Sequence, residues 1–214
     1  MNTTVNINGV DVEVEAQKSS IYGLKFLPRM VRYDNDADRV FDFYVQEDIE
    51  VSDGNFNLVD SLAKDYCTDG IMEIGIHRNG SRSFTMAMLK NKPDSVPYLG
   101  IDIDDRSYLD NPEKNIYTLK ENSFSQEAVR NYAEKIGLKK VSILFIDGWH
   151  SLNACINDWK YADMLSDKAI VVFHDTNHHP GPTIILHAID ETKFRVEKYF
   201  VGKRDFGVSV AYKQ

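Results

Sequence analysis

Cysteine is scarce in this chain, long apolar runs are missing and positive charge is in deficit. Each shortage excludes something. Only Cys67 and Cys155 occur among 214 residues, and neither falls in a C-x-x-C. That excludes a disulfide scaffold, leaves zinc-finger and thioredoxin readings without support, and fits a reducing cytosol. The longest apolar run, 169–173, has five residues, whereas a membrane-spanning helix needs about 20. The N-terminal stretch lacks a basic start followed by an apolar run, so no secretory signal is expected. Lys and Arg number 25 against 33 Asp and Glu, a formal net charge of −8. An acidic chain grips nucleic acid or anionic lipid poorly, and neither is expected as a partner. A cytoplasmic, soluble protein is the expectation. No internal repeat is present, and no G-x-G-x-x-G, so the dinucleotide fingerprint is absent.

The composition that remains is that of an ordinary globular domain, 43% hydrophobic and 27% charged. A chain this long buries about 70% of its unfolded surface and needs no staples. Residues 3–15 alternate around Asn8-Gly9, the pattern of a β-hairpin. Residues 16–57 carry Pro28, an acidic stretch at 33–38 and a short strand expected at 41–46, and read as a cap or lid. From residue 58 the pattern becomes regular. Helices are expected at 58–67, 82–90, 126–136, 152–165 and 183–189. Strands are expected at 71–76, 98–103, 116–119, 141–146, 169–173, 194–201 and 207–212. Strands alternating with helices imply parallel βαβ units, and the last two strands, with no helix between them, should be antiparallel. The expectation is an α/β, Rossmann-like, seven-stranded, mostly parallel sheet with helices on both faces, spanning 58–214 after an N-terminal segment of 1–57.

In such sheets the ligand sits beyond the carboxyl ends of the strands. The first strand ends in Glu73 and Gly75, followed by Asn79, Gly80 and Ser81, residue types that turn tightly or cap a helix. The second ends at Asp102, placed to accept ribose hydroxyls. The third is followed by Ser123 in a small polar loop suited to an adenine edge. The fourth ends Asp147-Gly148-Trp149-His150 and the fifth His174-Asp175-Thr176-Asn177. If these two strands are neighbours, Asp147 and Asp175 emerge side by side and repel unless a proton or cation lies between them. Oxygen donors in a partly hydrated site suit Mg²⁺. Thr176 or Asn177 could add an oxygen, His150 could act as a general base near neutral pH, and Trp149 could wall the pocket. His178 and His179, followed by Pro180-Gly181-Pro182, read as a substrate-facing loop. A histidine-based catalytic metal is disfavoured by the lack of an H-x-D pair.

On these motifs the chain resembles class I S-adenosylmethionine-dependent methyltransferases, in the metal-dependent O-methyltransferase branch that includes catechol, macrocin and cephalosporin-hydroxylase-like proteins. The resemblance covers roughly residues 58–213. It implies that Glu73, Gly75, Asn79, Gly80, Ser81, Asp102, Ser123, Asp147 and Trp149 hold S-adenosylmethionine. It further implies that Asp147, Asp175 and Thr176 hold Mg²⁺ or another divalent cation, with Asn177 and His174 as rivals for the third ligand. His150 stands where catechol-type enzymes carry a catalytic lysine, which makes it the implied base beside Asp147. The implied acceptor is a hydroxyl on a saccharide or small natural-product metabolite. The rival readings are a metal-independent N- or O-methyltransferase, an NAD-type oxidoreductase and a non-catalytic binding module. A homo-oligomer stays open.

Overall fold

The computed structural model describes residues 2–7, 9–38, 53–76, 83–201 and 205–214. The N-terminal alternation forms two antiparallel strands, β1 (Asn2–Ile7) and β2 (Val10–Gln17), joined through Gly9 at φ +88°. Asn8 of that turn lies outside the described residues, as does the strand expected at 41–46. A third strand, β3 (Leu27–Met30), pairs antiparallel with β2. The sequence conceals it because Pro28 reads as a breaker, but β3 is an edge strand, where a missing N–H is tolerated.

The regular part begins with α1 (Asp53–Tyr66), which starts five residues before the expected 58. The 57/58 boundary therefore falls inside a helix. There follow β4 (Ile71–Ile74), α2 (Phe84–Asn91), β5 (Tyr98–Asp102), β6 (Ile116–Lys120), α3 (Gln126–Lys135), β7 (Val141–Ile146), α4 (Leu152–Trp159), β8 (Leu165–His174), α5 (Pro180–Ala188), β9 (Phe194–Tyr199) and β10 (Val208–Lys213). The helix expected over 152–165 stops at Trp159, and a 3-10 turn over Lys160–Met164 leads into β8. Two further corrections concern helix starts. α2 is capped by Ser83, whose side chain accepts from the Met86 amide at 3.2 Å. Pro180 and Pro182 begin α5 and are buried, so 180–182 is a helix start and not an open loop. Proline is suited to that position because a first-turn N–H has no partner to lose.

The seven strands lie in the order β6-β5-β4-β7-β8-β10-β9. The first five are parallel, and β10 runs antiparallel to both β8 and β9. This is the expected sheet with its antiparallel terminal pair. Strand order reverses between β4 and β7, the crevice where ligands bind in open α/β sheets. Side chains alternate across the sheet. Met72, Ile74, Leu144, Ile146, Val171 and Phe173 join one core cluster with residues of α3, α4, α5 and the N-terminal strands. Ile71, Ile143, Phe145, Ile170 and Val172 join the other with α1 and α2. Each fully buried aliphatic or phenyl side chain stabilises the fold by about 1.5–3 kcal/mol. Val5, Ile7, Val12 and Val14 are at most 1% exposed, so the N-terminal sheet is packed into the domain. Trp159 fixes this junction: its ring stacks on Phe173 at 5.7 Å, and its Nε1 donates to the Tyr22 carbonyl at 2.8 Å. Among the described residues no helix is long and apolar enough to cross a membrane.

Candidate active site

Parallel strands deliver their last residues to one edge. Ile146 of β7 is level with Phe173 of β8, so the residues that follow, Asp147 and His174, emerge side by side. Asp175 comes next at φ +59°, a left-handed backbone that aspartate tolerates better than most residues. Neither carboxylate caps a helix. Ser151 caps α4 and His179 precedes α5, which removes the simplest structural explanation for both acids.

The side chains converge. His174 Nδ1 lies 3.0 Å from Asp147 Oδ1 and 3.3 Å from Asp175 Oδ1. His150 Nε2 lies 2.9 Å from Asp175 Oδ2 and 3.7 Å from Asp147 Oδ1. That 2.9 Å approach is an ion-pair contact without hydrogen-bond alignment. On its other side, His150 Nδ1 is 3.6 Å from Asp38 Oδ1, which is also 3.2 Å from His179 Nδ1. His150 therefore presents one ring nitrogen to each of two groups, Asp147–His174–Asp175 and Asp38–His150–His179. The atoms of each group lie within 4.8 Å of one another.

Burial opposes every charge here, and the opposite charges overcome it. Burial pulls the His150 imidazole down, yet Asp147 and Asp175 hold it up at about 10. His174 is likewise depressed by burial and raised by Asp175 and Asp147, to about 9. Asp147 and Asp175 would be raised by burial, but the imidazoles, His174 foremost, hold both below the usual carboxylate range. Without a cation, the two carboxylates are neutralised by two imidazolium ions.

The side chains of Thr176 and Asn177, the other candidate ligands, are held by neighbouring groups, and His178 and His187 lie apart from the cluster. Thr176 Oγ1 accepts a 3.0 Å hydrogen bond from Ser209. The Asn177 amide donates to the carbonyls of Phe200 and Asp205, each at 2.8 Å. His178 Nε2 is 3.0 Å from the Asp205 carbonyl, and His187 is exposed on α5.

Across the switch point, β4 and β7 pinch together. The Asp147 amide donates to the Ile74 carbonyl at 2.8 Å. Gly75 has φ +82°, and a Cβ there would overlap the Asp147 carbonyl and come within 2.8 Å of the Gly148 nitrogen. Glycine is required on both counts. Asp102 accepts from the amides of Ile76 and Asp104 and from Arg106 Nε, at 3.0, 2.8 and 3.1 Å. Among the described residues, its Oδ2 has two donors and its Oδ1 one. Glu73 lies beneath this loop, 1% exposed. It accepts from the Tyr98 hydroxyl and, at 2.7 Å, from Thr85 Oγ1. Burial pushes its carboxyl up to about 8. The Ser123 carbonyl accepts from Asn157 and Tyr161. Asn79, Gly80 and Ser81 lie outside the described residues. Ile103, Tyr108, Phe124 and Trp149 are 69%, 68%, 47% and 63% exposed, and all four follow the ends of β5, β6 and β7. Large apolar side chains left in water around one crevice mark a surface for a ligand.

The sequence reading missed Asp38, Arg106 and Asp158, and it placed His179 in a substrate-facing loop without pairing it to His150 or Asp38. Arg106 was legible as the basic partner four residues after Asp102. Asp158, on α4, has both carboxylate oxygens buried without a hydrogen-bond partner among the described residues, and burial raises it to about 7. No spacing betrayed Asp38, which reaches the site from the N-terminal segment.

No protein-family model and no curated protein matches the sequence. Solved structures do match the fold. MycE, a methyltransferase of mycinamycin biosynthesis solved with Mg, SAH and mycinamycin VI, shares 15% identity at a TM-score of 0.54 over 73% of this chain and 48% of MycE. A methyltransferase from Geobacter sulfurreducens shares 17% at 0.55, over 76% and 79% of the two chains. The O-methyltransferase TomG from Streptomyces achromogenes, in complex with SAM, shares 14% at 0.54, over 76% and 81%.

The fold is that of the S-adenosylmethionine-dependent methyltransferases.

This chain spans about half the length of MycE. Within the methyltransferase fold, the crevice between β4 and β7 and the paired carboxylates of β7 and β8 lie on one edge. The reversed strand β10 also departs from the all-parallel sheet expected of an NAD-type oxidoreductase.

Proposed function

We propose that the chain is an S-adenosylmethionine-dependent, divalent-cation-assisted O-methyltransferase acting on a hydroxyl of a saccharide or small natural-product metabolite. One observation carries the reading. Two buried carboxylates from adjacent strands, Asp147 and Asp175, face the same small space with His150 against both. The donor set suits a cation, because Asp175 Oδ1 is buried without a hydrogen-bond partner among the described residues. The ligands named on MycE and TomG, Mg with SAH and SAM, support the same reading by likeness of fold.

In this reading Asp102 offers Oδ1 to the ribose, the Ser123 loop meets the adenine edge and Trp149 covers it. Gly75 lets the chain pass close beneath. Glu73 holds the loop from below through Tyr98 and Thr85. Asp147 and Asp175 would hold the cation. A divalent cation supplies Lewis acidity there, lowering the pKa of an acceptor hydroxyl and orienting it. The acceptor oxygen must then lie in line with the sulfonium methyl, which positioning residues secure. His150 takes the hydroxyl proton at Nε2. The carboxylates that raise His150 are the oxygens a cation would share, so cation binding and protonation of His150 oppose each other. A cation held by Asp147 and Asp175 would therefore favour the neutral, proton-accepting form of His150. Asp38, whose Oδ1 faces His150 Nδ1 at 3.6 Å, orients that ring.

Calorimetric titration of S-adenosylmethionine and S-adenosylhomocysteine, with Mg²⁺ and with chelator, tests this on wild type, Asp102→Ala and Asp147→Ala. The expected result is micromolar binding that weakens roughly 10- to 100-fold in Asp102→Ala, the loss of one or two charged hydrogen bonds. The cation response should vanish in Asp147→Ala. Failure of the wild type to bind either ligand overturns the reading.

A further inference from the structure

His174 is one of three residues, with Thr176 and Asn177, that the sequence leaves open as the third ligand, and its surroundings separate it from the other two. Thr176 Oγ1, one rival oxygen, accepts from Ser209, and the Asn177 side chain is anchored through its Nδ2 to the carbonyls of Phe200 and Asp205. The His174 side chain is 13% exposed, with Nδ1 at 3.0 and 3.3 Å from the two carboxylates. Neighbouring ligands on one octahedral ion, bound at about 2.1 Å, are themselves about 3 Å apart. His174 Nδ1 thus already has that spacing to each carboxylate, and one ligand atom from each of the three residues lies within 4.8 Å of the others. The ring is seated edge-on against Phe84 at 4.9 Å and near Phe206 at 6.1 Å. Asp175, 7% exposed, aims into the same space an oxygen that has no hydrogen-bond partner among the described residues.

We propose that His174 is a direct ligand of the divalent cation, and that this one-nitrogen, two-carboxylate site selects a first-row transition ion such as Mn²⁺, Co²⁺ or Zn²⁺ over Mg²⁺. The inference rests on the cation-assisted reading above and refines its metal. Mg²⁺ is hard, prefers oxygen and parts reluctantly with its waters. Imidazole suits the later, softer ions, and affinity for a mixed nitrogen and oxygen site rises along the first row. An all-oxygen triad at the same place would favour Mg²⁺. One imidazole in three protein ligands moves the balance the other way.

The test uses the full chain stripped of metal by chelation and dialysis, with no methyl donor or acceptor present. MnCl₂, ZnCl₂ and MgCl₂ are each titrated by calorimetry, and bound Mn²⁺ is read by pulsed electron paramagnetic resonance. The expected result is Mn²⁺ at least roughly tenfold tighter than Mg²⁺, with a ¹⁴N modulation from a coordinated imidazole. His174→Asp keeps a small ligand but replaces nitrogen with oxygen. It should lose that modulation and narrow the Mn²⁺ to Mg²⁺ ratio by about tenfold, with circular dichroism unchanged. Should His174→Asp fail to fold, His174→Gln keeps a neutral polar side chain and takes its place in the same measurement. If the wild type binds both ions but shows no ¹⁴N modulation, or keeps it in the variant, the imidazole assignment is overturned while the cation site stands. If no ion binds the wild type, the cation reading itself falls.

Discussion

Replacing Glu73 by Gln should change how stability responds to pH, and the size of the change follows from the burial of one carboxyl. Glu73 is 1% exposed, and burial lifts it from 4.5 to about 8 despite hydrogen bonds from Tyr98 and Thr85. Between those values the folded protein carries a proton that the unfolded chain has lost. The folded state therefore binds more protons, and stability falls as pH rises across this window. Below 4.5 both states are protonated, and above about 8 both are ionised. Each unit is worth 1.36 kcal/mol, so the interval from pH 5 to pH 7.5 removes about 3 kcal/mol. Gln has the same shape and does not titrate. Urea unfolding, followed by tryptophan fluorescence at pH 5, 6, 7 and 7.5, should show the variant gaining on wild type by about 3 kcal/mol over the series, with similar m-values. Subtracting one profile from the other cancels every other titrating group. Parallel profiles would show that Glu73 is ionised in the folded protein and would refute the argument.

The metal-free protein should also weaken at alkaline pH. His150 and His174, held at about 10 and about 9, contribute stability that is complete below their unfolded value near 6.5 and is lost as pH climbs through 9 to 10. The urea midpoint should fall between pH 7 and 9.5, and fall less in His174→Gln. Gly75→Ala should cost about 2 kcal/mol or more, from the left-handed backbone and the overlap with Asp147, seen as a lower thermal midpoint. It should also abolish binding of S-adenosylhomocysteine. Val12→Ala, at a position 0% exposed, should cost about 2 kcal/mol in the same melt. An unchanged midpoint would mean that the N-terminal sheet is not integral to the core.

The sheet was legible because its strands are short apolar runs separated by amphipathic helices, and that period survives any detail of packing. The terminal antiparallel pair followed from the missing helix between β9 and β10. Asp147 and Asp175 were legible for a related reason: an acid directly after a buried strand has one place to go. What could not be read depends on side chains meeting across long sequence separations. Asp38 touches His150 and His179 more than 100 residues away, and no local pattern encodes such contacts. Thr176 looked like a ligand because it adjoins Asp175. Its hydroxyl turns instead to Ser209 on a strand made 33 residues later. β3 was hidden by Pro28, since a breaker in sequence is harmless at a sheet edge.

The position of β10 has a consequence for the order of assembly. A ribosome releases β9 before β10, yet in the sheet β10 lies between β9 and β8. β9 therefore waits without its sheet partner until β10 has been made, and its pairing is with a strand that follows it in the chain. Val208, the first residue of that strand, pairs with His174, and Ser209 takes the Thr176 hydroxyl. The crevice between β4 and β7 draws on residues synthesised well before. During synthesis, the half of the site assigned to the methyl donor can form first. The half that the proposed reading assigns to the cation gains the support of β10 later, so removing Val208–Lys213 while sparing the donor crevice would leave the metal half unsupported.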